Sequence, residues 1–236
     1  MYEGYEHPRT IRETDDPALN YQFAYESYEA DLAGYLPSGP DLKILDVGCG
    51  WGQFLHFLAR KGYRDLSAID IGEQQVAHCR AEGFTAECVE DAAAYLEGSA
   101  EMFDLITMHH VIEHMPVEKA LHLLRAIHSA LKPGGRAIIQ TPNMSAVSAM
   151  YCRYIEISHC AGYCESNLHQ IMGMAGFQSL SVFGNRIPRP TSVRRGIWTM
   201  LQRLERAWWR AMLVAELGTD APRVLSKNLY IIGTKP

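Results

Sequence analysis

The segment ILDVGCGWGQF, residues 44–54, sets Asp46 just ahead of Gly48, Gly50 and Gly52. Glycines at alternate positions after an apolar run open a strand-to-helix turn to the close approach of a ligand, because no Cβ stands in the way. The spacing is G-x-G-x-G rather than the G-x-G-x-x-G that cradles a pyrophosphate, and a carboxylate leads it. A carboxylate there suits a positively charged group, such as an amine, better than a phosphate. Further on, Asp70 stands in SAIDIGE, where one carboxylate can accept both hydroxyls of a ribose. These residues describe a pocket for a nucleoside with a cationic tail.

A second group clusters later. His109, His110, Glu113 and His114 fall within six residues, and His159 follows in YIEISHCAGYC. Histidine exchanges protons near neutral pH. His110 and His114 are four apart, so a helical turn would put them on one face with Glu113. Two chemistries fit. His110 or His159 can act as a general base for a hydroxyl nucleophile. Alternatively, His110, Glu113, His114 and His159 can bind a divalent cation that lowers the pKa of such a hydroxyl.

The elements that must position these residues alternate along the chain. Short apolar runs at 42–47, 66–69, 85–89, 103–108 and 136–140 read as strands. Helical patterns at 51–61, 73–81, 92–96 and 117–131 lie between them, the last stopped by Lys132-Pro133-Gly134-Gly135. Strand and helix repeated at this pitch predict right-handed crossovers and a doubly wound, mostly parallel α/β sheet. Strands at 180–183 and 228–232 complete seven. Residues 1–40 read as a tyrosine-rich helical leader, residues 41–184 and 226–236 as the core of one domain, and residues 185–225 as an insertion.

Composition narrows the class. A chain of 236 residues with 47% hydrophobic residues and a net charge of -5 is the size of one globular domain, with no general attraction to nucleic acid. The start has no signal-peptide pattern and no window is apolar enough to span a bilayer, which predicts a cytoplasmic protein. Cys49, Cys79, Cys88, Cys152, Cys160 and Cys164 form no C-x-x-C pair, so reduced thiols are expected.

With these motifs in order, the sequence resembles the class I S-adenosylmethionine-dependent methyltransferases over most of its length. ILDVGCGWG, AIDIGE, VEDAAAY, FDLITMHHVIEHM and LKPGGRAIIQTPN match that family's successive motifs. The resemblance implies a Rossmann-like methyltransferase fold with S-adenosylmethionine as cofactor. It implies that Asp46, Gly48 and Gly50 hold the methionine part, with Cys49 and Gly52 in the same loop. It places Asp70 on the ribose, Ile71 on the adenine face, Asp91 and Ala92 at the adenine edge, and His109 beside the methionine. HVIEHM is also similar to the E-V-x-E-H pattern of small-RNA 2′-O-methyltransferases and quinone O-methyltransferases, which bind a metal there. Here His110 replaces the first glutamate, keeping a ligand but losing a charge.

The acceptor is less legible. The segment 154–177 resembles methyltransferases encoded among surface-polysaccharide genes, which implies O-methylation of a sugar hydroxyl, in the fullest form that of a lipid-linked glycan. A quinone or phenolic acceptor remains open, RNA is disfavoured by the acidic balance, and a non-catalytic S-adenosylmethionine-binding scaffold is a further alternative. In the insertion, Arg186, Arg189, Arg194, Arg195, Arg203, Arg206 and Arg210 interleave with Trp198, Trp208 and Trp209, opposed only by Glu205. Ile197, Leu201, Leu204, Trp208, Ala211 and Ala215 follow helical spacing. That stripe predicts a helix packed over the active site or at a homodimer interface. Its basic flanks offer the alternative of a peripheral contact of 186–217 with the inner membrane face.

Overall fold

The computed structural model describes residues 17–187, 190 and 192–236. The first part of the leader, residues 1–16, and Arg189 of the arginine run lie outside the described residues. Helix α1 (Pro17–Leu32) precedes the alternation β1 (Lys43–Val47), α2 (Gln53–Arg60), β2 (Asp65–Asp70), α3 (Glu73–Ala81), β3 (Thr85–Cys88), α4 (Ala92–Glu97) and β4 (Phe103–His109). A 3-10 turn at Ile112–His114 leads to α5 (Val117–Ala130) and β5 (Leu131–Pro142), then α6 (Ala149–Tyr154), α7 (Glu165–Met174), β6 (Gln178–Gly184), α8 (Val193–Leu217) and β7 (Asn228–Thr234). The strands form one seven-stranded sheet in the order β3-β2-β1-β4-β5-β7-β6. Only β7 runs antiparallel, against both β5 and β6.

Strands covered on both faces must be apolar throughout, and the runs seen in the sequence are these strands. In β1, Leu45 and Val47 face one core with Ile106, Met108, Leu124 and Ile127, whereas Ile44 faces the other with Phe54, Leu55, Phe57 and Leu58. One expectation shifts. The Lys132-Gly135 segment does stop α5 at Ala130, but it lies inside β5 rather than between elements. Leu131 already pairs with Phe103, and the register slips before Arg136 meets Leu105. The backbone amide of Gly134 donates to the Lys235 carbonyl, and that of Lys235 to Gly135, so the end of the chain pins the bulge.

The leader is tied to the far side of the sheet by a buried carboxylate. Asp31 accepts from Asn185 Nδ2 at 2.6 Å, from the Arg186 backbone amide at 2.7 Å and from the Tyr230 hydroxyl at 3.2 Å. Stacked rings of Tyr35, Phe183 and Tyr230 continue the same junction.

The insertion forms the expected helix, α8, capped by Ser192, whose side chain accepts from the Arg195 amide. The orientation of its stripe differs from the expectation of packing over the active site. Thr199 is buried and Arg206, Trp209 and Leu213 are half-buried, while Ile197, Leu201, Leu204, Trp208, Ala211 and Ala215 are all exposed. The reason is polar: Trp209 Nε1 donates to the Ser145 carbonyl and Arg206 to that of Asn185, which turns this face inward and the apolar one outward.

Asp31→Ala removes the acceptor from three donors that the fold keeps largely from water. Each stranded donor costs about 1–3 kcal/mol. At about 2–4 °C per kcal/mol for a chain of this size, the thermal midpoint should fall by roughly 5 °C or more. Calorimetric unfolding measures it, and an unshifted midpoint would show that the leader is not anchored there.

Candidate functional site

At the carboxyl ends of β1, β2 and β4 the structure opens a cavity of about 900 Å3. Asp46, Gly48, Cys49, Gly50, Asp70, Ile71, Asp91, Ala92 and His109 all line it, as do His110 and His114. Gly52, Glu113 and His159 do not line it. Gly52 instead starts α2 at φ 78°, with its Cα face against the Cys79 thiol.

Register explains how the carboxylates are held. Asp46 pairs with Thr107 across the parallel β1–β4 ladder, and the Thr107 hydroxyl donates to Asp46 Oδ1 at 2.8 Å. Burial pushes the Asp46 carboxyl up to about 7, with Asp70 adding to the rise and Thr107 opposing it. The Asp70 carboxylate is clamped at both oxygens, Oδ2 by the Gly50 amide and Oδ1 by the Gly72 amide, each at 2.8 Å. This fixes its plane while leaving lone pairs for two ribose hydroxyls. Asp91 caps α4 by accepting from the amides of Ala93 and Ala94, and so fixes the part of the wall where β3 leads into α4. His109 Nδ1 donates to Gln140 Oε1 at 2.8 Å, and burial pushes its imidazole down to about 4, so it is neutral at neutral pH.

The histidine cluster divides into two layers. His110 occupies the left-handed region at φ 55°, a conformation that a residue with a Cβ adopts at a cost, and it reaches the cavity. Its Nδ1 donates to Glu113 Oε1 at 3.2 Å, and Glu113 Oε2 accepts from the Thr141 hydroxyl at 3.1 Å. Burial opposes ionisation of Glu113, yet the hydrogen bond and charge of His110, aided by His114, hold its carboxyl below the usual range. Behind this layer, ligand atoms of Glu113, His114 and His159 all lie within 4.8 Å of one another. His159 Nδ1 donates to the Cys152 carbonyl at 2.7 Å, which leaves the Nε2 lone pair toward the cluster. His114 Nδ1 lies 2.9 Å from the Ser158 hydroxyl, which donates to Glu156 at 2.7 Å. Imidazoles oriented by carbonyl and hydroxyl partners are the arrangement that metal ligands need, so the residues fit a divalent cation. Of the four expected ligands, His110 is the one the structure leaves outside the tight group.

Sequence reasoning missed the lid. Phe23, Ala24 and Tyr28 of α1 line the cavity, with Tyr28 edge-on to Phe54 and beside the His109 ring. Tyr21, Tyr25 and Tyr28 are spaced by four and three, a helical face that could have pointed to this packing. Tyr21 donates to the Trp51 carbonyl at 2.9 Å, and Tyr25 stacks edge-on to Phe57.

Two tests follow from this geometry. A cation beside Asp46 stabilises its ionised form, so binding near pH 7 should release a proton from the fraction of Asp46 that is protonated. As pH falls below about 7, affinity for S-adenosylmethionine should weaken, approaching tenfold per unit. Calorimetry in buffers of different ionisation enthalpy reads the released proton, which Asp46→Asn should abolish. At Gly48 the backbone has φ 74° and an added Cβ would sit 2.2 Å from Val111 Cγ2. Gly48→Ala should therefore cost about 1–3 kcal/mol of stability and impair cofactor binding. Adding Val111→Ala should recover only part of the stability, because it relieves the clash and not the strained φ.

Comparison with known proteins gives the family. The profile of a methyltransferase domain family matches residues 20–182. A ubiquinone biosynthesis O-methyltransferase of Xanthomonas oryzae is 36% identical over 135 residues, 53% of this chain and 51% of that protein. The chain thus spans about half the length of the curated relatives it matches. A SAM-dependent methyltransferase structure from Archaeoglobus fulgidus superposes with a TM-score of 0.66 at 21% identity, covering 93% of this chain and 100% of that one. A Haemonchus contortus phosphoethanolamine N-methyltransferase in complex with S-adenosyl-L-methionine superposes at 0.59 and 18% identity, over 91% of this chain and 56% of that one. The family match over most of the chain shows the family, and the solved methyltransferase structures share its fold: the chain belongs to the class I S-adenosylmethionine-dependent methyltransferases.

Proposed function

We propose that the chain is an O-methyltransferase for the hydroxyl of a phenolic or quinol-type small molecule, with a divalent cation on Glu113, His114 and His159. The observation that carries this reading is the convergence of those three ligand atoms within 4.8 Å, with His114 itself on the cavity wall beside His110. The curated relatives named for ubiquinone biosynthesis favour this acceptor class over the sugar hydroxyl suggested by the segment 154–177. A bound cation would lower the pKa of a hydroxyl beside it.

The chain's own residues divide the remaining work. Asp46 holds the ammonium of the methionine part and Asp70 the ribose, fixing the sulfonium in the cavity. The acceptor oxygen attacks the methyl carbon in line, the carbon–sulfur bond breaks, and sulfur keeps the electron pair as S-adenosylhomocysteine. His110 takes the hydroxyl proton at Nε2, because its Nδ1–H is directed at Glu113. Lys119, His122 and Met115 line the outer part of the same cavity, where an acceptor ring enters.

The test uses purified protein, S-adenosylmethionine and a catechol. Activity should be lost in EDTA and return with divalent cations, Mn²⁺, Co²⁺ or Zn²⁺ exceeding Mg²⁺ because two imidazoles accompany one carboxylate. His159→Ala should lower kcat and raise the cation concentration needed, with S-adenosylmethionine affinity unchanged. Full activity in protein shown free of metal by elemental analysis would overturn the cation. Methylation of glycan acceptors with none of phenols would overturn the acceptor class.

A further inference from the structure

A divalent cation on Glu113, His114 and His159 alone would keep an unmet positive charge, because those residues bring one carboxylate and two imidazoles to a place that buries Glu113 and His159. A buried charge that nothing opposes is costly. His110 cannot oppose it. An imidazole carries no negative charge, and the Nδ1–H of this one is directed at Glu113 Oε1. A second carboxylate does stand close by, on a residue that lies outside both the motif and the group of three.

That residue is Glu156, between α6 and His159, with its side chain only 8% exposed. The His159 amide donates to the Glu156 carbonyl at 3.3 Å, closing a turn that sets the two side chains together. Oε1 accepts from the Ser158 hydroxyl at 2.7 Å and lies 3.8 Å from His114 Nδ1. Oε2 lies 3.8 Å from His159 Nε2 and has no hydrogen bond among the described residues. Because His159 Nδ1 donates to the Cys152 carbonyl, Nε2 is the nitrogen that carries the lone pair. A lone pair and a carboxylate oxygen opposed out of water call for positive charge between them. Their separation is too long for a hydrogen bond. Two bonds of about 2.0–2.2 Å to one cation can span up to roughly 4.2 Å, so an ion fits between them.

We propose, resting on the cation site put forward above, that Glu156 is a fourth ligand of the cation and takes through Oε2 the place that the sequence pattern gives His110. The donor set is then two carboxylates and two imidazoles, and its charge balances that of a divalent ion. Mixed oxygen and nitrogen donors keep the preference for Mn²⁺, Co²⁺ or Zn²⁺ over Mg²⁺. His110 stays off the ion, as its part as proton acceptor requires.

Titration of the EDTA-stripped full chain with Mn²⁺, followed by loss of the electron paramagnetic resonance signal of the free ion, tests this without any acceptor. The parent should bind a single ion. Glu156→Gln keeps the shape of the side chain and removes its charge, and should bind Mn²⁺ roughly tenfold or more weakly. Glu156→Asp, with the charge kept, should recover part of that loss, and His110→Gln should cost less than Glu156→Gln. S-adenosylmethionine affinity of Glu156→Gln should match that of the parent, which shows that the variant is folded. Equal Mn²⁺ affinity in the parent and Glu156→Gln overturns the role of Glu156 and leaves the three-residue site standing, as does a greater loss in His110→Gln. A parent that binds no Mn²⁺ overturns the cation site itself, and this ligand with it.

Discussion

The site is organised around one carboxylate that the sheet withdraws from water. Asp46 sits in β1 next to the β4 strand, and the parallel register that pairs it with Thr107 is the same register that joins Ile44 to Leu105 and Val47 to Met108 in the centre of the sheet. A buried carboxylate is costly unless a donor or a cation meets it, and Thr107 alone leaves its carboxyl pushed up to about 7. The glycine turn that follows, with positive φ at Gly48 and Gly50, keeps side chains out of the space beside that carboxylate. The chain thus creates a local demand for positive charge and the room to satisfy it.

Two different kinds of support hold the two halves of the cavity. The cofactor side rests on contiguous strand ends and backbone amides, such as those of Gly50 and Gly72 on Asp70, which cannot rotate away. The histidine side is assembled from segments far apart in sequence. The Glu113 carbonyl accepts from the amides of Cys160 and Ala161, and this pair of bonds brings His159 beside His114. Arg153 binds the carbonyls of His159 and Cys160, bracing the same crossing from outside.

What was legible in the sequence follows from that distinction. The seven strands and the carboxylates of Asp46 and Asp70 at their strand ends lie in local patterns, because each strand end sits beside its own motif. The closure of Tyr28 over Phe54 and His109 was not, since it depends on where α1 docks, and that docking is set by Asp31 meeting residues more than 150 positions away. The stripe of α8 was legible as a period but not as a direction. Periodicity says that one face is apolar, whereas the tie of Trp209 to Ser145 decides which face turns inward. The Lys132-Gly135 segment has turn residues, yet pairing with Lys235 draws it into a strand. The grouping of the histidines was likewise hidden, because spacing places His110 with His114, whereas the fold joins His114 and Glu113 to His159, far along the chain.

The same burial that raises Asp46 lowers His109, and the two shifts act together on what the cavity accepts. At neutral pH the imidazole of His109 is uncharged, with its Nδ1–H spent on Gln140. Its Nε2 is buried with no hydrogen-bond partner among the described residues, and its ring packs against those of Phe54 and Tyr28. The wall near Asp46 therefore offers a carboxylate beside neutral and aromatic groups. A phosphate placed there would find like charge, whereas an ammonium or a sulfonium is met by groups that need not reorient. Loss of the positive charge when a methyl group leaves removes part of that attraction, so the geometry that holds the sulfonium also weakens its grip on the neutral thioether.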